Sequence, residues 1–161
     1  MNDTASDASA WPGRVVAVDF GTKRIGLAIS DPEQKVASPL TVYERQSPEQ
    51  EARWFRRLVA DEAVVLFVVG LPVHASGAES RLSEKARRFG RWLAETTAVD
   101  VQFYDERYTS LEADQLMAPA GLTKKRRKAR RDMLAAQILL ASFLESRHRG
   151  RQHPEPLDDE P

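Results

Sequence analysis

The sequence contains no cysteine. Disulfides, thiolate metal sites and a cysteine nucleophile are therefore excluded, and a reducing compartment is unsurprising. No apolar run approaches the roughly 20 residues needed to cross a bilayer as a helix, so no membrane partner is expected. The first 13 residues hold Asp3 and Asp7 but neither Lys nor Arg, and no apolar stretch follows. A secretory signal is not expected there, and the reading is cytoplasmic. Net charge is lacking too: 24 Lys+Arg stand against 24 Asp+Glu. Taken alone, that balance argues against a polyanionic partner.

What is present changes the picture. A length of 161 residues suits one domain with a real core. Residues 1–13 and 151–161 read as disordered tails, the first small and polar, the second rich in Pro and acid. Setting both aside leaves a domain over 14–150 with 23 bases against 18 acids, a net charge of +5. The positive charge is concentrated. Between positions 124 and 131 only Ala129 is not basic, the run being Lys124, Lys125, Arg126, Arg127, Lys128, Arg130 and Arg131. A run of that density stays solvated and favours polyanions through counterion release. Its plain alternative is a soluble loop.

The periodicity predicts an α/β domain. Arg14–Asp19 and Ile25–Ser30 read as strands joined by a short turn. Val36–Tyr43 reads as a third strand, with Pro39 placing it at a sheet edge or a bulge. Ser47 and Pro48 open a helix bearing Trp54, Phe55, Leu58 and Val59 on one stripe. Val64–Val69 is apolar throughout, as a central parallel strand covered on both faces would be. Gly70 to Gly77 reads as a loop. A helix from about 79 to 96 carries Leu82, Ala86, Phe89 and Leu93 inward, and Val99–Tyr104 is the fifth strand. A short helix over about 109–117 and a last helix over about 129–147 complete the order β-β-β-α-β-α-β-α-α. The last helix turns Met133, Ala136, Leu140, Phe143 and Leu144 inward. That order predicts a five-stranded mixed sheet flanked by helices.

Three acids stand at the ends of these elements. Asp19 closes the first strand, which is apolar up to it, so its carboxylate needs a partner or a cation. Glu106 follows the fifth strand. Asp132 is expected in the first turn of the last helix, directly after the bases. Each has a structural alternative: Asp132 as a helix N-terminal acid, Glu106 as the partner of Arg107 or another base. If the three converge, an all-oxygen set without His or Cys suits Mg²⁺ or Mn²⁺. Ions so held activate water and stabilise a leaving oxygen in phosphodiester hydrolysis. Asp19-Phe20-Gly21-Thr22 also permits a phosphate-binding hairpin of the actin and sugar-kinase type. That chemistry needs two domains to enclose a nucleotide, and the length leaves no room for both.

At these motifs the chain resembles the YqgF family, the Holliday-junction-resolvase-like proteins also described as pre-16S rRNA nucleases. The matching segments are Val18 to Ala28, Val69-Gly70-Leu71-Pro72, Asp105 to Ser110, and Arg131-Asp132 with Ala135-Ala136 and Ile138-Leu139. The resemblance spans about 14–147. It implies an RNase H-like fold and a metal-dependent nuclease with Asp19, Glu106 and Asp132 as catalytic ligands. It implies a nucleic-acid substrate, RNA in ribosome maturation before a four-way DNA junction. A non-cleaving assembly factor remains a third reading. Lys23, Arg24 and Arg107 stand beside the acids as candidate phosphate contacts, with Lys124, Lys125, Arg126, Arg127 and Arg131 as a wider footprint. A solvated hairpin tip is the plainer role for Lys23 and Arg24. The chain is read as a monomer or a homodimer; symmetric junction cleavage would require the dimer. One departure concerns the stretch after Gly-Leu-Pro. Where the family usually has a sequence like Asn-Met-Asp-Gly, this chain has Val73-His74-Ala75-Ser76-Gly77. A lone His in such a loop is more often exposed than functional.

Overall fold

A computed structural model describes residues 13–72, 81–106 and 124–148. The strands are β1 (Arg14–Asp19), β2 (Arg24–Ser30), β3 (Ala37–Glu44), β4 (Val64–Leu71) and β5 (Asp100–Asp105). The helices are α1 (Pro48–Glu62), α2 (Arg81–Thr97) and α3 (Lys124–His148). The strands form one sheet in the order β3-β2-β1-β4-β5. β1, β2 and β3 pair antiparallel, and β4 and β5 join parallel to β1. This is the mixed sheet with flanking helices that the sequence predicts.

The alternation along β1 explains the layering. Val16 and Val18 point to one face and join Phe55, Phe67, Phe89, Leu93 and Phe103 beneath α1 and α2. Val15 and Ala17 point to the other and join Ala28, Leu66, Val68, Leu139, Leu140 and Phe143 beneath α3. Both faces of the central strands are thus covered, which is why β4 reads as a continuous apolar run. Fully burying each large side chain contributes about 1.5–3 kcal/mol.

Local signals behave as expected at α1. Ser47 caps it, accepting from the Gln50 amide at 3.3 Å, and the Gln50 side chain reaches back to the Ser47 amide at 3.4 Å. This capping box satisfies donors the helix cannot satisfy itself. β3 is an edge strand. Its register slips where Leu27 faces Thr41 but Ala28 faces Pro39, because proline offers no amide to the ladder.

Three expectations need correction. Val36 lies outside β3 and is 59% exposed. Leu82 is turned outward, while Ser83 occupies the buried position on α2. The third matters most: the basic run is no loop, because α3 already begins at Lys124. Lys and Arg are good helix formers, and an exposed helical face keeps their charges solvated. Asp132 therefore lies in the third turn of α3, away from the helix terminus, and dipole compensation does not explain it. The short helix expected over 109–117, the loop with His74, and the segments 1–12 and 149–161 lie outside the described residues.

Candidate active site

The site lies at the rim where β1, β4 and β5 end. Asp19 is the last residue of β1, and alternation turns it to the α3 face with Val15 and Ala17. Glu106 follows β5, two strands away, with β4 between them. Gly70 of β4 closes the gap. A Cβ there would collide with the Glu106 carboxylate, so the missing side chain leaves a channel through which Glu106 crosses β4. The carboxyl groups of Asp19 and Glu106 meet in a hydrogen bond, which requires one of them to carry a proton.

Asp132 arrives from above. In the β1–β2 ladder Asp19 faces Gly26. A Cβ on Gly26 would collide with the backbone carbonyl of Asp132. Glycine thus lets α3 settle on β2 at the point that sets Asp132 near Asp19. The Asp132 carboxylate pairs with Arg24, Nε to Oδ2 at 3.5 Å, with both side chains about three-quarters buried.

The electrostatics tie the three together. Burial pushes the Asp19 carboxyl well above the usual carboxylate range, and the charges of Glu106 and Asp132 push it further the same way. Burial also raises Glu106; the hydrogen bond from Asp19 opposes this, and the charge of Asp105 adds to it. Burial raises Asp132 against the lowering effects of Arg24, Lys128 and Arg131. Acids crowded at one rim with raised affinity for protons are a environment that a hard cation relieves.

Two of the three predicted acids therefore touch, and the third acts on Asp19 through its charge while paired with Arg24. Among the described residues no three His, Cys, Asp or Glu side chains stand close enough to hold an ion as they are. The donor chemistry nonetheless fits Mg²⁺ or Mn²⁺: carboxylate oxygens, with no soft ligand beside them.

The bases divide. Lys23 is exposed at the β1–β2 turn, whereas Arg24 is committed to Asp132. Lys124, Arg127, Lys128 and Arg131 line a groove of about 640 Å³ that ends on Asp132. Their spacings of three and four place them along one face of α3. Arg126 is exposed but does not line this groove. The side chain of Lys125 and all of Arg107 lie outside the described residues. Gly26 and Gly70 were not singled out from the sequence, although both fall inside its quoted motifs.

Comparison with known proteins agrees with the fold and the motifs. A family model described as "RuvX: Holliday junction resolvase" matches residues 13–146. A protein of Rhodopirellula baltica is 43% identical over 97% of this chain and 91% of its own length. One of Koribacter versatilis is 39% identical over 92% of this chain and 97% of its own. Both bear the name "Putative pre-16S rRNA nuclease". Among solved structures, Thermus thermophilus RuvC in complex with Holliday junction substrate gives a TM-score of 0.54 at 14% identity, covering 90% of this chain and 99% of that one. The yeast mitochondrial Holliday junction resolvase Ydc2 gives 0.50 at 10% identity, covering 86% and 80%. These likenesses show the expected RNase H-like fold.

Proposed function

This chain belongs to the RuvX family, and on that premise we propose that it is a hydrolase cleaving phosphodiester bonds in structured nucleic acid. The proposed substrate is the 5′ region of precursor 16S rRNA, which places the reaction in the cytoplasm. The carrying observation is the contact between Asp19 and Glu106 at the rim, with Asp132 above them and a basic groove leading in.

Asp19, Glu106 and Asp132 would hold Mg²⁺ or Mn²⁺. When bound, the ion supplies Lewis acidity that activates water and stabilises the leaving oxygen. The residues of the chain do the rest. To hold the ion, Asp19 and Glu106 would release the proton between them to solvent, and the Asp132 carboxylate would exchange Arg24 for the ion. Arg24 is thereby released to meet a phosphate, with exposed Lys23 beside it and Arg107 next to Glu106. The groove on α3, with Lys124, Arg127 and Arg131, holds the backbone on either side; Lys125 and Arg126 extend the positive field.

A second reading keeps this chemistry and exchanges the substrate for a four-way DNA junction, which the description of the family favours. Paired cuts on a junction need two active sites and hence a homodimer, whereas cleavage at one RNA position needs only a monomer. The test places a precursor 16S rRNA fragment and a synthetic junction side by side, with and without Mg²⁺, on wild type and Asp19→Asn. Mg²⁺-dependent cleavage of the RNA that disappears in Asp19→Asn is expected. Preferential symmetric cutting of the junction selects the second reading. Salt-sensitive binding without any product, even in Mn²⁺, would replace both with a non-cleaving assembly factor.

A further inference from the structure

On the opposite face of the same rim lies a second cleft. Strand alternation turns Asp19 toward α3 and the next residue, Phe20, toward α1 and α2. Phe20 stacks on Phe89 of α2, with centroids 5.3 Å apart and planes 19° apart. Phe89 packs in turn against Trp92 at 5.6 Å. The Arg45 guanidinium lies 5.1 Å from the Phe20 ring centre and 5.3 Å from that of Phe89. These groups, with Lys85 and Arg88, line an open cleft of about 370 Å³.

The wall of this cleft is preorganised. Arg45 is clamped by the buried carboxylate of Glu51, at 2.9 and 3.2 Å, and donates to the carbonyl of Gly21 at 3.3 Å. Its charge is thus balanced within the fold. Lys85 and Arg88 differ, being exposed on the outer lip of α2. The partly exposed Trp92 lies four residues beyond Arg88, and the buried Phe89 four beyond Lys85, so both cations stand on the helical face that carries the aromatic wall. An aromatic floor with a cationic lip matches a base over a phosphate. The volume is that of a small-molecule cleft. A paired base cannot enter it without leaving its stack.

We propose that this cleft binds one unpaired nucleotide of the substrate, its base against the partly exposed ring of Trp92 beside the Phe20–Phe89 stack and its phosphate held by Lys85 and Arg88. The position of that nucleotide beside the scissile bond rests on the nuclease reading, because Phe20 adjoins Asp19 in the chain. The strand would pass from the acids over the β1–β2 turn and drop one base into the cleft. Substrate choice would then favour single-stranded segments next to a structured one.

Binding can be read without cleavage. The full-length protein is titrated in EDTA with oligouridylate and, separately, oligodeoxythymidylate of about ten nucleotides, following tryptophan fluorescence. Both wild type and Asp19→Asn should be quenched, and Trp92→Phe should remove most of the quench. Lys85→Glu with Arg88→Glu, both exposed, should weaken binding about tenfold and lower the slope of affinity against salt by about one to two. The difference between the two arms assigns the sugar. Wild-type affinity in the double variant overturns the proposal, as does an undiminished quench in Trp92→Phe. Equal quenching by polyglutamate overturns it in favour of an acidic peptide. Asp19-dependent cleavage with unchanged affinity in the double variant would sink the cleft alone. A wild type that is quenched but cleaves nothing would sink the nuclease reading alone.

Discussion

The two faces of the sheet are built differently. Beneath α1 and α2 the packing is aromatic, with Phe55 at its centre touching Phe67, Phe89 and Trp92 in edge-on contacts. Beneath α3 it is mostly aliphatic, with the aromatic pair Tyr104–Phe143, and Ala17, Ala28 and Ala136 with the bare Gly26 let a helix backbone approach. The aromatic face holds the sheet together. The α3 face brings a helix close enough to set a carboxylate above the end of β1. Close approach there serves chemistry, because crowding carboxylates that are pushed toward protonation costs stability in the absence of a cation.

Substitutions can separate these roles. The largest effect belongs to Asp19→Asn. Cleavage in Mg²⁺ should fall by about 10³-fold or more, while the melting temperature of the cation-free protein holds or rises as the crowded charge is removed. A loss of folding stability alongside activity would mean that Asp19 is structural. Phe55→Ala should do the reverse, costing about 3–5 kcal/mol in denaturant unfolding with cleavage per folded molecule unchanged. Next in size, Arg127→Glu with Arg131→Glu should weaken nucleic-acid binding about tenfold and lower the salt slope by about two, without altering the melt. An unaltered salt slope would make the α3 bases a merely solvated face.

The smallest effect lies far from both faces. Asp31 accepts from the amides of Lys35 and Val36 at 2.7 and 2.8 Å, and these bonds hold its carboxyl below the ordinary 3.8. A depressed native value means the stabilisation is present above the ordinary value and disappears as pH falls through the native one. Asp31→Asn should therefore flatten the stability curve slightly below pH 4 and leave neutral pH nearly unchanged. Unfolding curves at pH 3 and pH 7 measure this directly.

Much of this was legible in the sequence, for identifiable reasons. β4 is apolar on both faces, so its central place followed from composition alone. Ser47-Pro48 fixed the start of α1. Asp19 stood out because a strand apolar up to its last residue ends on a charge. The start of α3 was hidden because seven bases suppress any apolar period, although helical propensity there is high. Only the helix geometry shows that positions 124, 127, 128 and 131 share a groove. The path of Glu106 over Gly70 was hidden too, since it depends on which strand lies between β1 and β5. The Phe20–Trp92 cleft joins residues far apart in the chain, and no local spacing announces it.

The central claim is that three carboxylates from β1, the end of β5 and the middle of α3 act as one cation site. Mn²⁺ titration followed by electron paramagnetic resonance tests it most directly, on wild type, Asp19→Asn and Asp132→Asn. Each substitution should weaken Mn²⁺ binding by about tenfold or more. Wild-type affinity in Asp132→Asn would contradict the claim and leave Asp132 as no more than the ion-pair partner of Arg24.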